Sequence, residues 1–257
     1  MFEKITKIFT DKEFLDSFIE QNILQKVAPS LTLKRDLKSG RYKINKHIKP
    51  IYLQILENYI SVTETIVMFL YSLHLKSLGP QKSLIEYYIE IYIKEGNKSG
   101  NGFSTYNILD EIEILNQDEI IQYFNFKNFD TNIYKQTKDW QNQQEDYSNM
   151  GRSELNLMFS NLLAAISNRI KNPQGLGSPL IKILNKLKHG SQFISDPSSE
   201  YIYIISKVDH LTMDSVRSEV YAVKCNVEDA CLLADQSKLM AESLENFIRV
   251  YMFCNYD

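Results

Sequence analysis

Apolar residues recur at three- and four-residue intervals along most of this chain, the spacing of amphipathic helices. The longest such run lies between Pro50 and Leu78, where Tyr52, Ile55, Leu56, Tyr59, Val62, Ile66, Phe69 and Leu73 share a stripe that Gly79-Pro80 ends. Ahead of it, Thr10-Asp11-Lys12-Glu13 is a capping-box pattern followed by Phe14, Leu15, Phe18, Ile19 and Ile23; Pro29 predicts a stop nearby. A third helix is expected from Ser83 to about Lys94. Its LIEYYIEIYI stretch reads as a strand by composition alone, and the adjoining helix decides for helix. Residues 108 to 126 form one or two helices, Glu154 to Ile170 another, and Val227 to Phe253 a long closing one with Leu233, Met240, Leu244, Phe247 and Tyr251 on one stripe.

The period changes to two at Tyr201-Ile202-Tyr203-Ile204-Ile205 and at Val220-Tyr221-Ala222-Val223, which predict two short strands of a hairpin joined by residues 207 to 218. Asp209-His210 then falls in the turn. Nothing alternates strand with helix as a parallel sheet demands, and no internal repeat is visible. The fold class expected is mainly α: a helical bundle with a small β-hairpin inset between the last two helices, at about 201-225. It is read as a single helical domain over 1-257, with a subdivision into N-terminal helices, 1-129, and a second half, 150-257, as the alternative. The polar, amide-rich section between those halves has Trp140 as its one large anchor.

Composition narrows the function classes. At 257 residues and 44% hydrophobic the chain can bury a full core, and a formal net charge of -3 argues against a histone-like partner. Cys225, Cys231 and Cys254 make no C-x-x-C spacing and leave one over, so neither a zinc site nor a disulfide framework is expected, and a reducing cytoplasm fits. No run approaches the roughly 18 apolar residues of a membrane span. In EGNKSGNGFSTYN, residues 95 to 107, Lys98-Ser99 precedes Gly100, the wrong order for a phosphate loop, so the segment reads as a mobile loop. No serine lies in G-x-S-x-G, and no cofactor or metal is expected.

The most sharply bounded segment is GSPLIKILNKLKHG, residues 177 to 190. Ser178 is a favoured N-cap, Pro179 is pre-organised for the first helical position and Gly190 suits the left-handed residue just past the end. At 100° per residue, Leu180, Ile181, Ile183, Leu184 and Leu187 gather on one side, and Lys182, Asn185, Lys186 and His189 opposite. His189 stands in the last turn, where the negative end of the helix dipole favours the imidazolium. Asn185, one turn earlier, is placed to orient a phosphate or a 2′-hydroxyl, and Lys182 and Lys186 to hold phosphate charge.

Asn185-Lys186-Leu187-Lys188-His189 resembles the core motif of the HEPN superfamily (higher eukaryotes and prokaryotes nucleotide-binding), whose active members carry R-x(4–6)-H, often with Asn directly after the Arg. The resemblance covers about a dozen residues and the bundle pattern of the second half. It implies a helical bundle that pairs so that two motifs form one metal-independent ribonuclease site. His189 would be the general acid–base there, Asn185 the positioning group, and Lys182 the stand-in for the arginine. The residue directly before Asn185, where the family has that arginine, is Leu184. Lysine does not replace arginine's bidentate fork.

The charges agree with an RNA partner. No Asp or Glu lies between Leu155 and Ile194, a stretch that holds Arg169, Lys171, Lys182, Lys186 and Lys188 with His189. A second cluster sets Lys34, Arg35, Lys38, Arg41, Lys43, Lys46 and Lys49 against the single acid Asp36. Together they would form the electrostatic footprint of an RNA surface. Glu64, beside Ile60, Val67 and Tyr71 on the long helix, is either a group that orients His189 or a cation, or one half of an interface ion pair. His47, His74 and His210 have no companion at metal-ligand spacing and read as structural or exposed. Aromatics are plentiful, but most lie at core spacings and add no stacking platform. The expectation is a cytoplasmic homodimer that binds RNA and cleaves it, as part of a bacterial toxin or phage-defence system. The alternative is a non-catalytic module of such a system that binds a partner protein.

Overall fold

The computed structural model describes residues 9–41, 44–79, 81–96, 111, 115, 117–127, 193–195, 200–211 and 216–256. The described residues are mainly helical, with one small antiparallel sheet. The helices are α1 (Asp11–Phe18), α2 (Gln25–Lys38), α3 (Ile44–Leu78), α4 (Leu84–Gly96), α5 (Gln117–Tyr123) and α6 (Val227–Tyr256), and the strands β1 (Phe193–Ser195), β2 (Tyr201–Leu211) and β3 (Val216–Lys224). The mainly α class with a hairpin ahead of the closing helix is therefore what the periodicity foretold. None of the described helices is long and apolar enough to cross a membrane.

The largest differences from the helix boundaries expected of the sequence fall at two prolines. The first helix does not stop near Pro29; a π-helical stretch, Ile19–Leu24, links α1 to α2, which runs through Pro29 to Lys38. Buried residues explain the wide winding. Leu15, Ile19, Ile23 and Val27 are all buried and spaced by four, a step that drifts about 40° per repeat at 3.6 residues per turn. The looser π turn takes that drift back. At α3, Pro50 lies inside a helix that begins at Ile44 rather than opening it. A proline inside a helix costs about 3 kcal/mol, and burial of Ile48, Ile51, Tyr52, Ile55 and Leu56 around this turn outweighs it.

The described residues fall into two compact units, with boundaries at Ile23/Leu24, Thr63/Glu64 and Ala241/Glu242. The first unit has an aromatic core. The Phe18 and Phe69 rings lie 4.5 Å apart, Phe14 sits 5.3 Å from Phe18, and Tyr88 meets Phe18 edge-on at 5.4 Å. Phe247 is 5.5 Å from Phe124 and 5.4 Å from Phe126. The α1 cap forms as its sequence requires: Thr10 Oγ1 accepts from the Glu13 N–H at 3.2 Å and Glu13 accepts from the Thr10 N–H at 2.9 Å. Ser83 and Glu86 repeat the device at α4, at 3.2 and 2.7 Å. Asp11 then ties three helices, accepting from the Leu84 N–H at 2.7 Å and pairing with Lys76 at 3.2 Å.

The second unit packs α2 and the first half of α3 with the sheet and the first half of α6, over Val27, Tyr52, Ile55, Tyr59, Val62, Leu233, Ala234 and Met240. Its buried polar groups are matched: Asn58 Nδ2 donates to Ser30 Oγ at 3.0 Å and Thr63 Oγ1 to the Tyr59 carbonyl at 2.9 Å. The sheet has order β1-β2-β3, antiparallel throughout. Its strands outrun the expected hairpin, so Asp209-His210 lies within β2 and not in a turn, with His210 opposite Arg217. Register shifts between Ile205 and Lys207 and between Val208 and His210 explain the early stop in the sequence reading. An extra residue on one strand breaks the period of two without ending the strand.

Candidate functional site

Alternation on the sheet decides which side chains face solvent. Ile202 and Val223 are opposite one another and buried, while Tyr201, Ala222 and Lys224, at the intervening positions, are exposed and Tyr203 is half-buried. The Tyr201 and Tyr203 rings are near-parallel, 25° apart, with centroids 6.4 Å apart. Lys224 stands opposite Tyr201 in the register, its ammonium 3.2 Å from Glu200. The Glu200 hydrogen bond and charge hold that lysine's pKa above its ordinary value. The sequence reading discounted aromatics as core residues. The YIY spacing of two, which turns both tyrosines to the same face of a strand, was the signal that separates this pair from the rest.

Of the basic residues singled out in the N-terminal cluster, Arg35 is exposed in the last turn of α2, where Arg35 and Lys38 complement the helix dipole. Gly40 follows at φ +68, the left-handed conformation in which a residue with a Cβ is strained. Arg41, just beyond, lies 3.2 Å from the buried Asp36 carboxylate. Lys34 pairs with Asp235 of α6. Two of the cluster's cations are thus matched by acids, one of them, Asp235, far away in the sequence. Arg35 and Lys38 are exposed. Glu64 is half-buried on α3 between the buried Thr63 and Thr65. His189, Asn185, Lys182, Lys186, Lys188, Arg169 and Lys171 lie outside the described residues, as do the helix expected over 154 to 170 and the rest of GSPLIKILNKLKHG.

A second group of polar side chains gathers in the first unit. The His74 ring stacks on Tyr123 at 3.8 Å and 11°, with Nδ1 3.4 Å from the Tyr123 carbonyl. Ser77 Oγ is 2.7 Å from that same carbonyl, and the Tyr123 hydroxyl donates to Glu111 at 2.6 Å. Burial, and then the Glu111 carboxylate, raise the Tyr123 phenol far above its ordinary range. A phenol so held is a permanent donor near neutrality and not a base, so the group clamps α5 to α3.

Two of the cysteines, Cys225 and Cys254, are poor nucleophiles at neutral pH. All three are free and buried, and burial pushes the Cys225 and Cys254 thiols up to about 12. A thiol there stays protonated, and the thiolate is the nucleophile and the metal ligand. Among the described residues, no three His, Cys, Asp or Glu side chains gather as a metal site would need. No protein-family model, curated protein or solved structure matches this chain.

Proposed function

We propose that this chain is an RNA-binding protein of HEPN-like type that acts as a pair and cleaves RNA without a metal, in a bacterial defence or toxin setting. The observation that carries it is the sequence of residues 178 to 190. Ser178 and Gly190 frame a segment whose spacing would, as a helix, set His189, Asn185 and Lys182 on one face, in a stretch from Leu155 to Ile194 without a single acid. The exposed Arg35 and Lys38 support an anionic partner.

In this reading the His189 imidazole takes the proton of a 2′-hydroxyl, whose oxygen forms a bond to the adjacent phosphorus. The bond from phosphorus to the 5′-oxygen breaks, and that oxygen takes a proton from the imidazolium of His189 in the second copy. Asn185 orients the hydroxyl or phosphate, and Lys182 and Lys186 balance the phosphate charge. Mixed RNA incubated with the protein in EDTA tests it. Cleavage by the parent and a loss of about 10²-fold or more in His189→Ala are expected; equal rates would eliminate the mechanism.

One observation favours the second reading, a non-catalytic module that binds a partner protein. Ile89, Tyr92 and Ile93 form an exposed apolar stripe on α4, at 48, 64 and 52% exposure, of the kind that marks interaction surfaces. A lasting protein complex free of nucleic acid on purification would decide for it.

A further inference from the structure

The outer face of the sheet combines three features. Tyr201 and Tyr203 are two positions apart on β2, so their rings repeat along the strand at the strand's own two-residue spacing, here 6.4 Å between centroids. Stacked planes repeat at about 3.4 Å, so one base between two parallel rings needs about 6.8 Å, slightly more than the 6.4 Å here, and the exposed Tyr201 ring must swing outward a little to admit it. Opposite Tyr203 is Ala222, the smallest side chain with a Cβ, which leaves the neighbouring strand low beside the ring. Opposite Tyr201 is the exposed Lys224.

We propose that this face binds single-stranded RNA, with a base stacked against Tyr201 and Tyr203 and the adjoining phosphate on Lys224. The inference rests on the RNA reading given above and assigns it a binding surface separate from His189. Sequence-tolerant recognition of single strands uses this combination, because every base presents a π face and every linkage a charge. Duplex RNA, its bases already stacked, has none to offer. Glu200 opposes the phosphate but does not block it. Its ion pair with Lys224 has both side chains more than half exposed, at 54 and 68%, and a solvent-screened pair of that kind holds only weakly. A phosphate oxygen can replace the carboxylate at little cost.

The test is anisotropy of a labelled 2′-O-methyl oligouridine of about ten nucleotides, which lacks the nucleophile for cleavage, titrated with the full chain. Tyr201→Phe/Tyr203→Phe keeps both rings and is expected to bind as the parent does. Tyr201→Leu/Tyr203→Leu is expected to bind roughly 5- to 100-fold more weakly, with an unchanged circular dichroism spectrum. Tyr201→Trp, which needs no loss of packing, should show indole fluorescence quenched on adding the oligomer. Equal affinity of the parent and the leucine variant, or an unquenched indole at saturation, would overturn the stacking surface while leaving the RNA reading intact. A parent that binds no oligonucleotide would overturn both.

Discussion

The two units use aromatic residues in opposite ways. In the first, Phe14, Phe18, Phe69, Tyr88, Phe124, Phe126, Phe247 and Tyr251 meet one another mostly edge-on or tilted, with Phe18, Phe69, Phe124, Phe126, Phe247 and Tyr251 buried and Phe14 and Tyr88 half-buried at the margin. In the second, Tyr201 is exposed and Tyr203 half-buried on one side of β2 while Ile202, between them, takes the core position. The same residue type thus holds the fold together in one place and is presented in the other. What separates the cases is period: helical spacing of three and four gathers rings inward, and a spacing of two on a strand with one buried face turns them out.

The comparison predicts unequal costs of deletion. Phe69→Ala removes a fully buried ring packed at a tilt against Phe18 and should lower unfolding stability by about 3–5 kcal/mol. Tyr201→Leu should change it by no more than about 0.5 kcal/mol. Urea denaturation of both variants checks this, and similar losses would erase the distinction between sealing and presented rings.

Alkaline titration sharpens it next. Burial raises Cys225 and Cys254 from 9.0 to about 12, and Tyr88 and Tyr256 from 10.0 to about 12. These are acids whose folded pKa exceeds the unfolded one, so their contribution is complete below pH 9. It is lost as pH rises from 9 toward 12, where the unfolded chain ionises first. Both tyrosines lie in the first unit, so stability should fall most steeply above pH 10. Denaturant midpoints that stay level from pH 9 to 11 would contradict these raised pKa values.

The α4 cap should matter less. Ser83→Ala is expected to cost about 1 kcal/mol. The Ser83 N–H and hydroxyl hold the Glu86 carboxyl below its ordinary 4.5, so the cap's contribution is present above pH 4.5 and fades as pH falls through the folded value. A denaturation series from pH 6 to 3 on Glu86→Gln and the parent should show the two converge in acid. Smallest of all, Arg41→Ala should cost about 0–1 kcal/mol, since its guanidinium is 69% exposed; a larger loss would mean that Asp36 depends on it.

Much of this architecture was legible in the chain because local signals agree with packing. Thr10 and Glu13, and Ser83 with Glu86, mark helix starts within a residue or so, and the stripes from Tyr52 to Leu73 and from Leu233 to Tyr251 are the buried ones. Proline misled because its local penalty, read alone, ends a helix, whereas the burial around Pro29 and Pro50 carries the helix through. Bulges misled because they shift phase within a strand, as at Ile205/Lys207. The candidate site was less legible. Long-range pairing of Lys34 with Asp235 changes the meaning of a basic run, and no local pattern reveals it. The seven residues expected on or near the 178 to 190 segment lie outside the described residues, so the catalytic reading continues to rest on sequence.

The most direct test of the central claim compares one single strand made as RNA and as its 2′-deoxy counterpart, each incubated in EDTA with the parent and with His189→Ala. The account predicts that the parent cuts only the RNA, that the variant cuts neither, and that both proteins bind the RNA alike. A parent that neither binds nor cuts the RNA, or a variant that cuts it as fast as the parent, would contradict it.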